Sequence, residues 1–140
     1  MATNAQYVST PVLEISLINT ANTARDGTGT MSLCCAGLTA ASAAGIGKRL
    51  NRISVTANQT TTAGAVRFFG TTDGGTTRRL LVEKIVPAIT PSTSIPTFRT
   101  EVPELVGLIL PGTVSGVTYG LFASTNAGET FSIAVESGTL

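Results

Sequence analysis

Apolar and polar residues alternate with period two along most of the chain, and no stretch sustains the 3.6-residue period of a helix, so strands carry the fold. The first run is Val12, Leu13, Ile15, Leu17 and Ile18, closed by a polar segment, residues 19–29, that contains Asp26-Gly27. A second run places Met31, Leu33 and Cys35 on one face. Residues 36–47 are rich in Ala and Gly; such small side chains have little burial energy, and the segment reads as a loop. The third strand is expected over residues 49–58, with Asn51, Ile53, Val55 and Ala57 on one face and Arg52, Ser54 and Thr56 on the other. After a polar loop, residues 65–72 form a strand containing Phe68 and Phe69. Asp73-Gly74-Gly75 then supplies the positive φ angles of a tight hairpin, and residues 76–86 return as its partner.

Pro87, Pro91 and Pro96 interrupt any regular ladder of amide hydrogen bonds, so the chain is expected to change sheet there. Extended structure resumes over residues 98–110, broken at Pro103. Val117, Tyr119, Leu121 and Ala123 alternate, residues 126–128 turn, and Phe131, Ile133 and Val135 alternate back, which predicts a second hairpin. About eight strands with one long crossover predict an all-β fold, a two-sheet antiparallel sandwich of the jelly-roll or Greek-key kind. Residues 1–11 read as an extended N-terminal arm and residues 12–140 as one domain, a size that hides a core without disulfides or metal.

Composition changes this picture in one respect. Charged residues make up 12% of the chain, against about 25% in ordinary soluble domains, and the mean hydropathy is +0.32. Ser and Thr stand in for the missing charge; they suit strand faces but repel neighbouring molecules weakly, so the exterior is expected to be partly covered by partners. A formal net charge of +1 gives no electrostatic case for nucleic acid. The first dozen residues lack the features of a secretory signal and no stretch is long enough to span a bilayer, so synthesis in a cytoplasm and no membrane partner are expected.

The chain has no histidine, which removes the commonest metal ligand, the usual general base near neutral pH and every Ser-His or Cys-His nucleophile. Cys34 and Cys35 are adjacent in a strand, where a mutual disulfide is strained and the two thiols point to opposite faces; they read as reduced core residues. Gly45-Ile46-Gly47-Lys48 lacks the spacing of a phosphate loop, with Ser42 in place of the first glycine and Arg49 after the lysine. Glu101 and Glu104, with Glu83 nearby, form the only carboxylate pairing worth weighing for hydrolysis, yet Tyr7 and Tyr119 are the only tyrosines and there is no Trp to make a sugar platform. Asn58-Gln59-Thr60 matches a glycosylation sequon but reads as a polar loop. No catalytic residues, no cofactor and no metal are expected.

Seven basic residues, Lys48, Arg49, Arg52, Arg67, Arg78, Arg79 and Lys84, fall on three consecutive predicted strands, where they are expected to form one patch. Arginine forks bind carboxylates bidentately and their stems bury apolar area, so Arg49, Arg52, Arg67, Arg78 and Arg79 are candidate partner-binding residues; the competing reading is a solvated face paired to Glu83. Tyr7 and Val8 are candidates in the arm, which reads as extended and able to add to a neighbour's sheet edge.

The polar start 2–8, the Thr-rich hairpin 68–81 (FFGTTDGGTTRRLL) and the ending 121–131 (LFASTNAGETF) resemble, in style and size, small virion proteins of tailed phages, in particular jelly-roll cement or decoration proteins such as that of a Bordetella phage. The resemblance implies a structural protein on the outer capsid surface of a virion, made in the bacterial host cytoplasm. It also implies many copies, paired as homodimers at two-fold positions, each bridging major capsid protein subunits. A carbohydrate- or receptor-binding module of a phage tail is the alternative, since β-sandwiches host both roles.

Overall fold

The computed structural model describes residues 10–37, 47–111 and 119–139. Its strands are β1 (Thr10–Ile18), β2 (Ser32–Ala36), β3 (Lys48–Ala57), β4 (Gly64–Thr71), β5 (Arg79–Val86), β6 (Arg99–Glu101), β7 (Ile109–Leu110), β8 (Gly120–Thr125) and β9 (Phe131–Thr139), with one 3-10 turn at Pro103–Leu105. One sheet has the order β1-β9-β3-β6, with β7 also paired to β3; the other has the order β2-β8-β4-β5. The pairings β1 with β9, β2 with β8, β3 with β6 and β4 with β5 are all antiparallel. Strand orders of β1-β9-β3-β6 in one sheet and β2-β8-β4-β5 in the other, with the first strand paired to the last, are those of a jelly roll, and the sandwich predicted from alternation has that topology.

The core lies between the sheets. Leu50, Ile53, Val55, Ile133, Val135 and Phe131 from one sheet meet Val66, Phe68, Leu121, Ala123 and Val86 from the other, all buried in one cluster. Each such side chain contributes roughly 1.5–3 kcal/mol by leaving water.

Two bulges alter what simple alternation predicts. In β3 the register with β9 shifts between Leu50 and Arg52, so Asn51 is the extra residue and lies exposed, not on the inner face; Leu50 and Ile53, three apart, both point inward. In β2 a shift between Leu33 and Cys35 buries both Cys34 and Cys35 and leaves Leu33 exposed. The two thiols therefore do not face opposite sides of the sheet. They are free.

Three other expectations change. The β4–β5 turn is longer than a tight hairpin, and β5 begins at Arg79 and not at residue 76. Gly74 and Gly75 do adopt positive φ, 78° and 95°, and the Asp73 carboxylate accepts from the Thr71 hydroxyl (2.9 Å) and the Thr77 amide (2.9 Å), so polar groups shape the turn. Residues 120–139 are not a hairpin: β8 belongs to one sheet and β9 to the other. The reason is that β8 has both edges occupied, by β2 and β4, and its exit is anchored elsewhere. Asn126 Oδ1 accepts from the Ala65 amide (2.7 Å), and Glu129 accepts from the Thr62 amide (2.8 Å) and hydroxyl. Finally, β1 starts at Thr10, so residues 10 and 11, expected in the arm, pair with Thr139 and Gly138. The proline-rich connection does cross from one sheet to the other, between β5 and β6. Residues 38–46, expected to be a loop, fall outside the described residues.

Residues 19–31, between β1 and β2, lie over the outer face of the β2-β8-β4-β5 sheet. Asn22 bonds backbone to backbone with Thr125 (2.8 Å), and its side-chain amide donates to the carbonyls of Thr28 (3.0 Å) and Thr30 (2.9 Å). Beneath this segment Arg67, 3% exposed, donates to Glu83 (2.9 Å), which also receives Arg25 from the segment itself (2.9 Å). Hydrogen bonds from Arg25 and Arg67 pull the Glu83 carboxyl down to about 2 from its usual 4.5. A depressed carboxyl stabilises the fold above its unfolded value and loses that contribution as pH falls through its folded one. Glu83→Gln should therefore cost about 2–3 kcal/mol at neutral pH, less than a fully enclosed pair because Glu83 is about a quarter exposed. The deficit should shrink as pH drops from about 4.5 toward 2, read by urea unfolding at both ends of that window.

Candidate functional site

The predicted basic patch does not form. β3 lies in one sheet and β4 and β5 in the other, so Lys48, Arg49 and Arg52 share no sheet with Arg67, Arg79 and Lys84. Most of these cations already have partners. Lys48 is buried and paired with Glu14 (2.7 Å), and Lys84 reaches across to Glu104 (2.9 Å). Arg52 pairs with Glu101 (2.5 Å) and approaches Glu136 (3.9 Å). Arg67 is interior, fixed to Glu83, and so is structural and not a contact residue. Arg78 donates to the Gly29 carbonyl (3.1 Å) and stacks over Phe122 at 5.5 Å. Arg49 and Arg79 remain exposed, on opposite sheets. Tyr7 and Val8 lie outside the described residues.

The carboxylates weighed for hydrolysis are likewise engaged. Hydrogen bonding from Arg52 lowers the Glu101 carboxyl, and hydrogen bonding from Lys84 lowers that of Glu104. A general acid needs the opposite, a carboxyl held above its ordinary range. The thiols are shifted away from reactivity: burial pushes Cys34 up to about 12, and burial followed by the nearby Glu14 charge pushes Cys35 up to about 11. Among the described residues, no three His, Cys, Asp or Glu side chains come together as a metal site.

What the fold does present is uncovered apolar surface. On β1 the side chains of Leu13, Ile15 and Leu17 are 60%, 66% and 53% exposed, while Glu14, paired with Lys48, and Ser16 take the inward positions. Antiparallel pairing sets three rows across this outer face: Leu13 beside Glu136 and Arg52, Ile15 beside Ala134 and Ser54, and Leu17 beside Ser132 and Thr56. The face is thus apolar along its β1 edge and floored by small side chains on β9 and β3, with Glu136 and Arg52 ending the Leu13 row and the β6 residues Glu101 and Arg99 lying beyond Ser54 and Thr56 in the other two. On the other sheet, Ile85 (72% exposed), Leu80 and Leu81 stand on the edge strand β5.

Sequence reasoning named neither group. A signal was available in the first run, where Val12-Leu13 and Leu17-Ile18 put apolar residues on both faces of one strand, more than a half-buried strand requires. An open depression of about 480 Å³ lies between the β4–β5 turn and β7, lined in part by Asp73, Arg79, Leu81, Ile109 and Tyr119. The Asp73 carboxylate there is already engaged by its own turn.

Comparison with protein-family models, with curated proteins and with solved structures gives no match. The thiol geometry has a direct consequence: native protein should leave both cysteines unreacted with a maleimide or an aromatic disulfide reagent over hours, and denatured protein should show both reacting at once. Rapid labelling of the folded chain would contradict the buried, protonated state described above.

Proposed function

We propose that this protein is a structural virion component that binds the outer surface of a phage capsid and bridges major capsid subunits, acting as a cement or decoration protein and not as an enzyme. The observation that supports this most directly is the pairing of a charge-poor jelly roll with large exposed apolar side chains on both of its sheets. A solvated monomer gains nothing from displaying Leu13, Ile15 and Leu17 on one layer and Leu80, Leu81 and Ile85 on the other. A protein lodged between neighbours does, because each surface finds a different contact.

The physical mechanism is additive. One copy touching several shell subunits gains avidity from modest contacts, and the shell repeats those contacts many times, so no single deep site is needed. The β5 surface suits the shell. Ile85 is an edge-strand anchor opposite Ala65, beside the Arg67–Glu83 pair that stiffens the same face. Exposed Arg79 at the start of that strand adds a guanidinium fork able to meet a carboxylate on the shell.

Ile85→Glu should leave thermal unfolding nearly unchanged, since the side chain is solvent-facing, yet lower occupancy on empty capsid shells at least about tenfold, equivalent to about 1.4 kcal/mol of contact. Co-sedimentation of purified protein with shells lacking it gives the measurement. Wild-type protein that fails to pellet with shells at all, while binding specifically on a glycan array, would replace this reading with a receptor-binding one.

A further inference from the structure

Of the edge strands β1, β2, β5 and β6, all but β1 are guarded against further pairing. β2 is short and bulged, β5 is bulged against β4 and carries Arg79, Glu83 and Lys84, and β6 is three residues long with Arg99 and Glu101. β1 has none of these devices beyond a proline at its second position. It runs nine residues in unbroken register with β9, and its one charge, Glu14, is turned onto Lys48.

The hydrogen-bond ladder fixes which backbone groups this edge presents. In β3, Ile53 accepts from the Val102 amide (2.9 Å) and Ala57 donates to the Phe98 carbonyl (2.8 Å), so odd-numbered residues there face β6 and even-numbered ones face β9. Antiparallel alternation carries that parity across the sheet: Ser54 and Thr56 bond Ala134 and Ser132, which leaves Val135 and Ile133 to bond Glu14 and Ser16. The amides and carbonyls of Leu13, Ile15 and Leu17 therefore point away from β9. Among the described residues, only the Leu17 carbonyl is taken, by the Ser32 hydroxyl (2.8 Å). Donors and acceptors recur along the edge about every 6.8 Å, the spacing offered by another strand.

We propose that β1 is an acceptor for strand addition, and that its occupant is an extended, uncharged segment of a different protein, apolar at alternate positions, paired antiparallel with residues 11–17. Antiparallel is the direction of every pairing in this sheet. Donor side chains opposite Leu13, Ile15 and Leu17 fall on the outer face and extend the apolar row; those opposite Glu14 and Ser16 fall on the inner face and are small. Charge selects against a second copy of this chain. The register in which two β1 strands satisfy the same groups sets Leu13 opposite Ile15 and Pro11 opposite Leu17. It also sets the two Glu14 side chains directly opposite on one face, where like charges repel. An uncharged segment meets no such penalty. The inference does not rest on the capsid reading, which places the shell on β5, and it is tested without capsids.

Amide hydrogen exchange followed by NMR gives the test, with a capped synthetic heptapeptide alternating Thr and Val as the probe, carrying a lysine tail beyond the run for solubility. In the protein alone the Leu13, Ile15 and Leu17 amides should exchange quickly, while those of Glu14, Ser16 and Ile18, bonded to β9, are protected. Excess peptide should slow the first three at least about tenfold. N-methylation of the valine amides, which face β1, should abolish the effect; N-methylation of the threonine amides, which face away, should leave it. Ile15→Pro, tolerated at an edge position whose amide points to solvent, should lose peptide binding with Glu14 and Ser16 still protected. The methylated pair decides the matter on wild-type protein even if that variant does not fold. No slowing at the highest peptide concentration reached would overturn the inference. So would slowing that survives methylation of the valine amides, which marks apolar adhesion and not strand pairing. Protection of the three amides in the protein alone would overturn it too, assigning the edge to a second copy if dilution removes the protection and to this chain's own arm if deletion of residues 2–8 does.

Discussion

The arch between β8 and β9 governs the rest of this molecule. Two consecutive strands separated by five residues would ordinarily pair with each other as a hairpin, because that closes the shortest loop. Here they enter different sheets, and every other pairing follows: β9 slots between β1 and β3, β8 between β2 and β4, and the chain rolls up around them. What holds the arch open is a set of polar bonds from its own side chains to the start of β4. Asn126 accepts from Ala65 and Glu129 caps the Thr62 backbone and hydroxyl, while the Asn58 amide reaches the Thr130 carbonyl (3.0 Å). Gly64 completes the fit: a Cβ at that position would stand 2.3 Å from Asn126 Oδ1, so no other residue allows the approach. Local polar groups thus override the hairpin that alternation alone predicts.

That override marks the boundary of what the sequence made legible. Period-two alternation is a property of each strand by itself, and it located β3, β4, β8 and β9 well. The class of fold and the sheet change across Pro87, Pro91 and Pro96 were equally readable, because prolines act on the backbone where they stand. Which strands share a sheet is a relation between distant segments, carried by side chains such as Asn126 and Glu129 whose partners lie more than sixty positions away in sequence. Bulges hide for the same reason. Asn51 and Cys34 look like ordinary members of an alternating run until the partner strand shows that one residue is surplus.

The candidate site fared differently for each kind of residue. Basic residues stand out in the sequence because seven of the nine fall on three consecutive predicted strands, but with charge scarce in this chain most of these cations are used inside the fold. Arg67 anchors the segment over its sheet through Glu83, Lys48 satisfies the inward-facing Glu14, and Lys84 ties β5 to the 3-10 turn after β6. Among the described residues, the cations with no ion pair or hydrogen bond are Arg49 and Arg79. The apolar residues that do reach the surface were hidden by the opposite habit, the presumption that Leu and Ile in a strand point inward.

β1 shows why that presumption fails here. A strand must choose one face for the core, and a pattern with Leu13, Ile15 and Leu17 on one side against Val12, Glu14, Ser16 and Ile18 on the other would ordinarily bury the first set. The observed choice turns the second set inward, with Ile18 buried and Val12, Glu14 and Ser16 half-buried. Glu14 is tolerated inside because Lys48 meets it at 2.7 Å, and Ile18 completes the main cluster. The three stronger hydrophobes are left outside on a strand with no neighbour beyond it among the described residues. Turning β1 over would place Leu13, Ile15 and Leu17 against the core but strand Lys48 without its carboxylate, and an unpaired buried ammonium costs several kcal/mol. The ion pair therefore fixes which face of β1 meets water, and through that choice one internal contact determines where this jelly roll is able to meet another molecule.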